Sequence, residues 1–194
     1  MNWSRIHHTI GMCLQNSGQK RAQYLQKHNI LRHIGDNCMV MFRKIPLYPK
    51  LISFGDNVWI ATDVLFVPHD AIHQMLNNCV VGGSFRENIG VIDIKDNVFI
   101  GANSTILPNV TIGPNTIVAA GSLVNKSIGK GVYAGLPARY ICSFEEFVEK
   151  RRNLNIILNT IMIEKKNGKL TEASVEAIWK KHNEIIINGG KLHD

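Results

Sequence analysis

The chain has 194 residues, 45% of them apolar and 19% charged, which suits one globular domain with an appendage. Its formal charge is +7, but the Lys and Arg residues are scattered rather than interleaved with aromatic side chains, so we expect no nucleic-acid partner. No apolar run approaches the roughly 18 residues of a membrane span. The start MNWSRIHHTIG lacks the apolar stretch of a secretory signal, and the four cysteines form no CxxC pair. We therefore expect a cytoplasmic protein without a membrane span, a disulfide framework or a metal site.

The N-terminal segment, residues 1–33, is polar and includes SGQKRAQYLQKHNIL, which predicts a helical cap. Such a cap would shield the open strand edge of the domain that follows it. The next unusual segment is RKIPLYP, residues 43–49, which is irregular. We expect this segment to pack against the body, and the alternative is a contribution to a binding site.

Bulky apolar residues then recur at a spacing of six. Neither the 3.6-residue period of a helix nor the two-residue period of a strand gives this spacing as its simplest interpretation. A surface helix is also disfavoured because Pro108, Pro114 and several glycines would break it. The nine positions on this lattice are Phe54, Ile60, Phe66, Ile94, Ile100, Ile106, Ile112, Val118 and Val124.

The lattice predicts a triangular parallel β-helix. Each short strand supplies one large inward side chain, and a tight corner with a small residue follows it. Three six-residue segments make one coil, and stacked coils pair their backbone groups around a central apolar column. At about 1.5–3 kcal/mol for each buried side chain, this column would hold the coils together.

The lattice is interrupted by an inserted loop at about residues 68–93, which opens with VPHDAIHQML. Long excursions from a rigid scaffold are commonly functional. His69 is a candidate general base, because imidazole titrates near neutral pH and can take a proton from an alcohol. His73 is a competing candidate that lies deeper in the loop. Asp70 could orient the His69 ring, and a backbone carbonyl is the alternative.

The C-terminal segment, residues 142–194, is predicted to be a helical extension. Ser143 is the expected N-cap of a helix that continues to about Ile163, and a second helix is expected from about Thr171 to Ile187. We expect this pair to pack on the body or on a neighbouring subunit rather than on a membrane.

The run DNVFIGANSTILPNVTIGPNTIVAAGSLVNKSIGKGVYAGLPARYI, residues 96–141, ends in a Gly-x-Pro-Ala-Arg tail. Together with the lattice, it resembles the hexapeptide-repeat acyltransferases, in particular the galactoside, maltose and xenobiotic O-acetyltransferases. The resemblance implies a left-handed β-helix over residues 34–141, acetyl-CoA as cosubstrate without a metal, and a homotrimer with sites between its subunits. It also implies that His69 is the general base. The positions that match the family's contacts to acetyl-CoA are Gly101, Ala102, Ala119, Ala120, Lys126 and Arg139. Phe99 occupies a further contact position where relatives often have Trp, and it keeps the apolar contact without the indole N–H.

The resulting hypothesis is transfer of an acetyl group to a hydroxyl of a saccharide or another small acceptor. His69 would remove the hydroxyl proton, and a backbone N–H would stabilise the developing oxyanion. The alternatives are N-acetylation of an amino sugar and a non-catalytic β-helix that serves as an assembly module. Metal-dependent carbonic anhydrases share the fold, but they need three His ligands, and residues 54–141 contain only His69 and His73.

Overall fold

The structure is a computed structural model that describes residues 3–158, 163–166 and 168–187. It divides into two compact units, Met1–Glu145 and Glu146–Asp194, which are described separately below. Within the described ranges, no helix combines the length and the apolar character needed to cross a bilayer. The predicted boundaries at residues 33 and 141 stay predictions.

The N-terminal segment forms two helices, α1 (Trp3–Leu14) and α2 (Gly18–Lys27). Helix α2 begins where the side chain of Ser17 accepts a hydrogen bond from the backbone N–H of Lys20. Arg21 projects from α2 and is buried, and its Nε donates to the backbone oxygen of Val40 at 2.8 Å. This hydrogen bond fixes the helix on the first coil of the strands that follow.

The central part of the first unit consists of three parallel sheets that the chain visits in turn, which makes it a three-sided parallel β-helix. Sheet A contains β1 (His33–Ile34), β3 (Ile52–Phe54), β6 (Ile92–Ile94) and β9 (Val110–Ile112). Sheet B contains β2 (Met39–Val40), β4 (Val58–Ile60), β7 (Val98–Ile100), β10 (Thr116–Val118), β12 (Gly131–Ala134) and the antiparallel β13 (Arg139–Cys142). Sheet C contains β5 (Leu65–Phe66), β8 (Thr105–Ile106) and β11 (Leu123–Val124).

The strand register confirms the six-residue lattice. Ile100 lies opposite Val118 in sheet B, and Ile106 lies opposite Val124 in sheet C, so each residue stacks on the one three repeats later. All nine lattice residues are buried, with at most 5% of any of them exposed. The apolar column that they form is therefore the core of the β-helix, and its burial is the main favourable contribution to stacking.

The corners between the sheets are made by residues in the left-handed backbone conformation. All but Asn37, which lies three residues after Ile34 in the first coil, occupy the third position after a lattice residue, where the chain must turn sharply. Asn and Asp adopt this conformation more readily than other residues with a side chain, because their short polar groups bond locally. The corner residues with positive φ are Asn37, Asn57, Asp63, Asn97, Asn103, Asn109, Asn115 and Gly121.

The second unit contains most of α4 (Phe144–Leu158), a small hairpin and α5 (Glu172–Ile187). The hairpin pairs β14 (Lys165–Lys166) with β15 (Lys169–Leu170). Both predicted helices are present. The predicted end of the first helix, near Ile163, is preceded by residues 159–162, which lie outside the described residues.

Candidate active site

His69 follows strand β5, at the point where the inserted loop leaves the β-helix. The two ends of the loop pair with each other, since His69 forms an antiparallel bridge with Ile89 and the Gly90 N–H donates to the Pro68 oxygen at 2.8 Å. This short ladder is anchored to a rigid coil. It therefore fixes the backbone of His69 more firmly than a free loop would.

The His69 ring lies against a carboxylate from the far end of the same loop. Oε1 of Glu87 is 3.0 Å from Nδ1 of His69, with about a quarter of each side chain exposed. The N–H direction of Nδ1 is not aligned well enough for a regular hydrogen bond, so the contact is electrostatic. A carboxylate at Nδ1 favours the proton on that nitrogen and leaves Nε2 as the acceptor.

Tyr48 completes a three-residue cluster with His69 and Glu87. Its hydroxyl donates to Oε2 of Glu87 at 3.3 Å, and its ring packs edge-on against the His69 ring with 5.0 Å between centroids. The Glu87 charge raises the pKa of the Tyr48 hydroxyl, because a phenolate beside a carboxylate is unfavourable. Tyr48 also has a positive φ of 52°, a costly conformation for a large side chain and one often retained at functional sites.

The two carboxylate oxygens of Asp70 accept hydrogen bonds from groups other than the His69 ring. Its Oδ1 accepts the backbone N–H of Ile72 at 3.0 Å, and its Oδ2 accepts the side-chain amide of Asn88 at 3.1 Å. Both contacts hold the start of helix α3 (Ile72–Cys79) and the end of the loop. His73 lies on α3, and its buried Nδ1 has no hydrogen-bond partner among the described residues. Glu87, rather than Asp70, is therefore the carboxylate that contacts the His69 ring.

A cleft of about 510 Å³ opens beside His69. Its walls are residues 42–47 from the first coil, residues 63–68 from the second, and Arg5 from α1. The irregular segment RKIPLYP thus forms one wall, and the chain leaving β4 and β5 forms the other. The cleft is large enough to hold a small organic molecule next to the imidazole.

A second group of candidate residues lies at the corner between sheets B and C. A Cβ added to Gly101 would lie 2.4 Å from the Ala120 nitrogen, so this glycine permits close contact with the Ala119–Ala120 peptide of the next coil. Neither Ala102 nor Ala120 donates a backbone hydrogen bond to any described residue, and Ala120 is exposed. The two N–H groups could therefore donate to an elongated ligand running along the coils.

The other positions that match donor contacts lie apart from this corner. Phe99 is on the outer face of sheet B, 41% exposed, in register with Trp59 and Ile117. Arg139 is exposed at the start of β13, at the end of the same sheet. Lys126 is exposed at the corner that follows β11, between sheets C and A. A further nearby cation, Lys130, forms an ion pair with Glu145. Because these residues lie on different sheets and corners, the predicted donor contacts do not form one cluster in a single chain.

His69 and the Gly101 corner lie at opposite ends of the strands of sheet C. The corner comes before the strands of this sheet, whereas His69 follows strand β5. Across the described ranges 3–158, 163–166 and 168–187, no group of three or more His, Cys, Asp and Glu side chains is placed to hold a metal ion.

The sequence is similar to a known protein family and to proteins named as acetyltransferases. The family described as "Bacterial transferase hexapeptide (six repeats)" matches residues 92–126. A Saccharomyces cerevisiae protein named "Putative acetyltransferase YJL218W" is 35% identical over 142 residues, which cover 73% of this chain and 70% of the yeast protein. The chain belongs to the hexapeptide-repeat transferase family.

This hexapeptide-repeat chain also has bacterial relatives. The galactoside O-acetyltransferase of Escherichia coli (strain K12) is 39% identical over 111 residues, or 56% of this chain and 52% of the enzyme. The chain spans about half the length of the curated bacterial relatives it matches. A solved galactoside acetyltransferase in complex with coenzyme A is 25% identical, with a TM-score of 0.50, and the match covers 75% of this chain and 82% of that one.

Two residues of the site were missed by sequence reasoning. Glu87 lies in SFRENIG, outside the lattice, and no spacing links it to His69. Tyr48 lies in RKIPLYP, for which packing was the favoured prediction. The sequence did contain a signal for Tyr48. Its segment RKIPLYP is irregular and lies shortly before the inserted loop, and irregular segments on a repeat scaffold often carry functional residues.

Proposed function

We propose that the chain is an acetyl-CoA-dependent O-acetyltransferase that acetylates a hydroxyl of a saccharide or a similar small acceptor. The observation that carries this proposal is His69 at a cleft, with Nδ1 against the Glu87 carboxylate. That arrangement gives an imidazole whose Nε2 can accept a proton from a hydroxyl. Family membership and the acetyltransferase names of the relatives support the same activity.

Acetyl-CoA would supply an activated thioester. The chain's own residues would then act on the acceptor. Nε2 of His69 would take the hydroxyl proton as the oxygen–carbon bond forms, and would return this proton to the sulfur as the carbon–sulfur bond breaks. Glu87 would orient the ring and stabilise its positive charge while the proton is held, a supporting role that falls here to Glu87 rather than to Asp70.

The corner between sheets B and C is the proposed binding place of the donor's pantetheine arm. The available N–H groups of Ala102 and Ala120 could each donate to an amide oxygen of the arm, and Gly101 keeps the two coils close. Phe99 would add an apolar contact, while Lys126 and Arg139 would pair with phosphates. The coenzyme A bound to the similar galactoside acetyltransferase supports a donor of this kind.

A homotrimer with its sites between subunits is part of the proposal. In one chain, His69 and the donor corner lie at opposite ends of the strands of sheet C. A second copy could bring its own corner to His69. The inserted loop supports this, since α3 buries none of its residues, and Ile72, Met75 and Val81 are exposed. Apolar surface of this kind is typical of an interface.

We further assign left-handed winding to the β-helix, as the family resemblance implies, and keep residues 1–33, 34–141 and 142–194 as its cap, catalytic domain and extension. A cytoplasmic location stays a prediction from the sequence.

The test is release of coenzyme A from acetyl-CoA with a panel of neutral, acidic and amino sugars. Wild type would be compared with His69→Ala and with His73→Ala as the matched control. We expect His69→Ala to lose about 10²–10⁴-fold in rate, while His73→Ala stays active. Turnover of amino sugars alone would make the chain an N-acetyltransferase, and no binding of coenzyme A would favour an assembly module.

A further inference from the structure

The cleft beside His69 carries an excess of positive charge. Arg5, Arg43 and Lys44 line it, and Asp63 is the one carboxylate among its lining residues. Apolar residues of the two coils form the remainder of the walls. Clustered cations in a concave site attract an anion more strongly than the same cations on a convex surface, because the low-dielectric walls focus the field.

Arg5 is held in place at this cleft. Its Nε donates to the backbone oxygen of Ile45 at 2.8 Å, and the residue is half-buried. Arg43 and Lys44 are exposed, and neither has a carboxylate within ion-pair distance among the residues that the structure describes. Burial lowers the pKa of Arg21, and the positive charge of the nearby Arg43 lowers it further.

A second cavity of about 380 Å³ adjoins the first, and Arg5, Ile45 and Leu47 line both. It adds Lys50, which together with Arg5 supplies the positive charge of its lining, whereas burial and the neighbouring His28 and His7 lower the pKa of His8 in the same cavity. Nζ of Lys50 donates to the backbone oxygen of Leu31 at 3.0 Å, which fixes this cation at the wall. The basic surface therefore extends beyond the space beside the imidazole.

We propose that the natural acceptor is an anionic saccharide, with a carboxylate or phosphate bound by Arg5, Arg43 and Lys44 while its hydroxyl faces His69. This inference rests on the proposed acetyltransferase function and names its acceptor class. A neutral sugar would leave Arg43 and Lys44 without an ion-pair partner among the described residues, whereas an anionic one gains charge-assisted hydrogen bonds from them. The second cavity, which shares Arg5, Ile45 and Leu47 with the first, would accommodate part of an acceptor longer than one sugar ring.

The experiment measures binding and acetylation of three probes, each in gluco and galacto forms: the methyl glycoside, the methyl glycosiduronic acid and the sugar 1-phosphate. The proteins are wild type, the double variant Arg43→Gln/Lys44→Gln, and the control Lys20→Gln/Arg32→Gln. The control removes the same charge from exposed positions outside both cavities. Affinity for acetyl-CoA is measured in parallel.

We expect wild type and the control to bind an anionic probe about tenfold more tightly than the neutral glycoside. The cleft variant should lose this preference, and salt should weaken it. A preference confined to the acid or to the phosphate identifies the source of the charge. Equal binding of all probes would overturn the anionic acceptor, as would a cleft variant whose loss is in acetyl-CoA affinity. Failure of wild type to bind acetyl-CoA at all would instead contradict the proposed function.

Discussion

Nδ1 of His69 lies 3.0 Å from Oε1 of Glu87, although the two residues come from opposite ends of the inserted loop. The loop ends pair through an antiparallel bridge at His69, and this pairing brings the carboxylate to the ring. The insertion therefore supplies both the imidazole and the group that contacts it. Tyr48 approaches from the first coil and donates its hydroxyl to the other carboxylate oxygen.

Replacing Glu87 tests whether it positions the base. We expect Glu87→Gln to lower kcat about 10–100-fold, because the ring loses the charge that orients it and stabilises the imidazolium. Affinity for acetyl-CoA and the melting temperature should stay close to wild type, since the carboxylate is partly exposed and its contacts are with the His69 ring and the Tyr48 hydroxyl. Glu145→Gln, which removes a carboxylate paired with Lys130, is the control. An unchanged kcat in Glu87→Gln would remove this residue from the mechanism.

The Tyr48 hydroxyl should titrate above the ordinary pKa of tyrosine, because the Glu87 charge opposes a phenolate. A raised pKa in the folded state means that the folded protein loses stability as pH rises through this titration. Ultraviolet absorbance of the phenolate measures the shift, with Tyr48→Phe used to assign the signal. Glu87→Gln should bring the pKa back down. Identical titration in wild type and Glu87→Gln would show that the two groups do not interact.

Gly101 should be required for close stacking of the coils. Gly101→Ala would place a methyl group 2.4 Å from the Ala120 nitrogen, so we expect a loss of about 1–3 kcal/mol in the free energy of unfolding. Gly129→Ala is the matched control, since nothing lies within 4 Å of its added Cβ. Its effect should stay within about 0.5 kcal/mol. Urea denaturation measures both, and equal losses would contradict the packing described here.

The apolar face of the inserted loop should form a subunit interface. Met75 lies on α3 and is 57% exposed. Met75→Glu would put a charge into the proposed contact, so we expect the oligomer to dissociate while the fold is retained. Sedimentation velocity and circular dichroism measure these two properties. Lys20→Glu, an exposed substitution on α2, should leave the oligomer intact. A wild-type protein that sediments as a monomer would contradict the proposal at once.

The fold was largely predictable because the lattice depends on local spacing. The nine apolar residues and the small corner residues follow directly from the sequence, and their register confirms the prediction. The corner asparagines were overlooked, although they recur at a fixed position three residues after a lattice residue. Their role depends on backbone conformation, which apolar periodicity alone does not indicate.

The site was predicted only in part. His69 stands out because it opens the interruption of a regular repeat. Glu87 and Tyr48 come from two separate irregular segments, and their meeting with His69 depends on tertiary pairing that has no period in the sequence. Asp70 was a candidate because it adjoins His69, but its oxygens bind the start of α3 and Asn88. Neighbours in sequence often point apart, and here the contact comes from a distant carboxylate.

The most direct test of the central claim is whether two inactive chains restore activity when they are mixed. His69→Ala would remove the base, and Ala120→Trp would block the donor corner. Each protein alone should be inactive. If base and donor corner come from different subunits of a trimer, random reassembly at equal amounts should restore roughly one quarter of the wild-type rate. A mixture that exchanges subunits, verified by mass spectrometry, and yet stays as inactive as its parts would contradict a site built between copies.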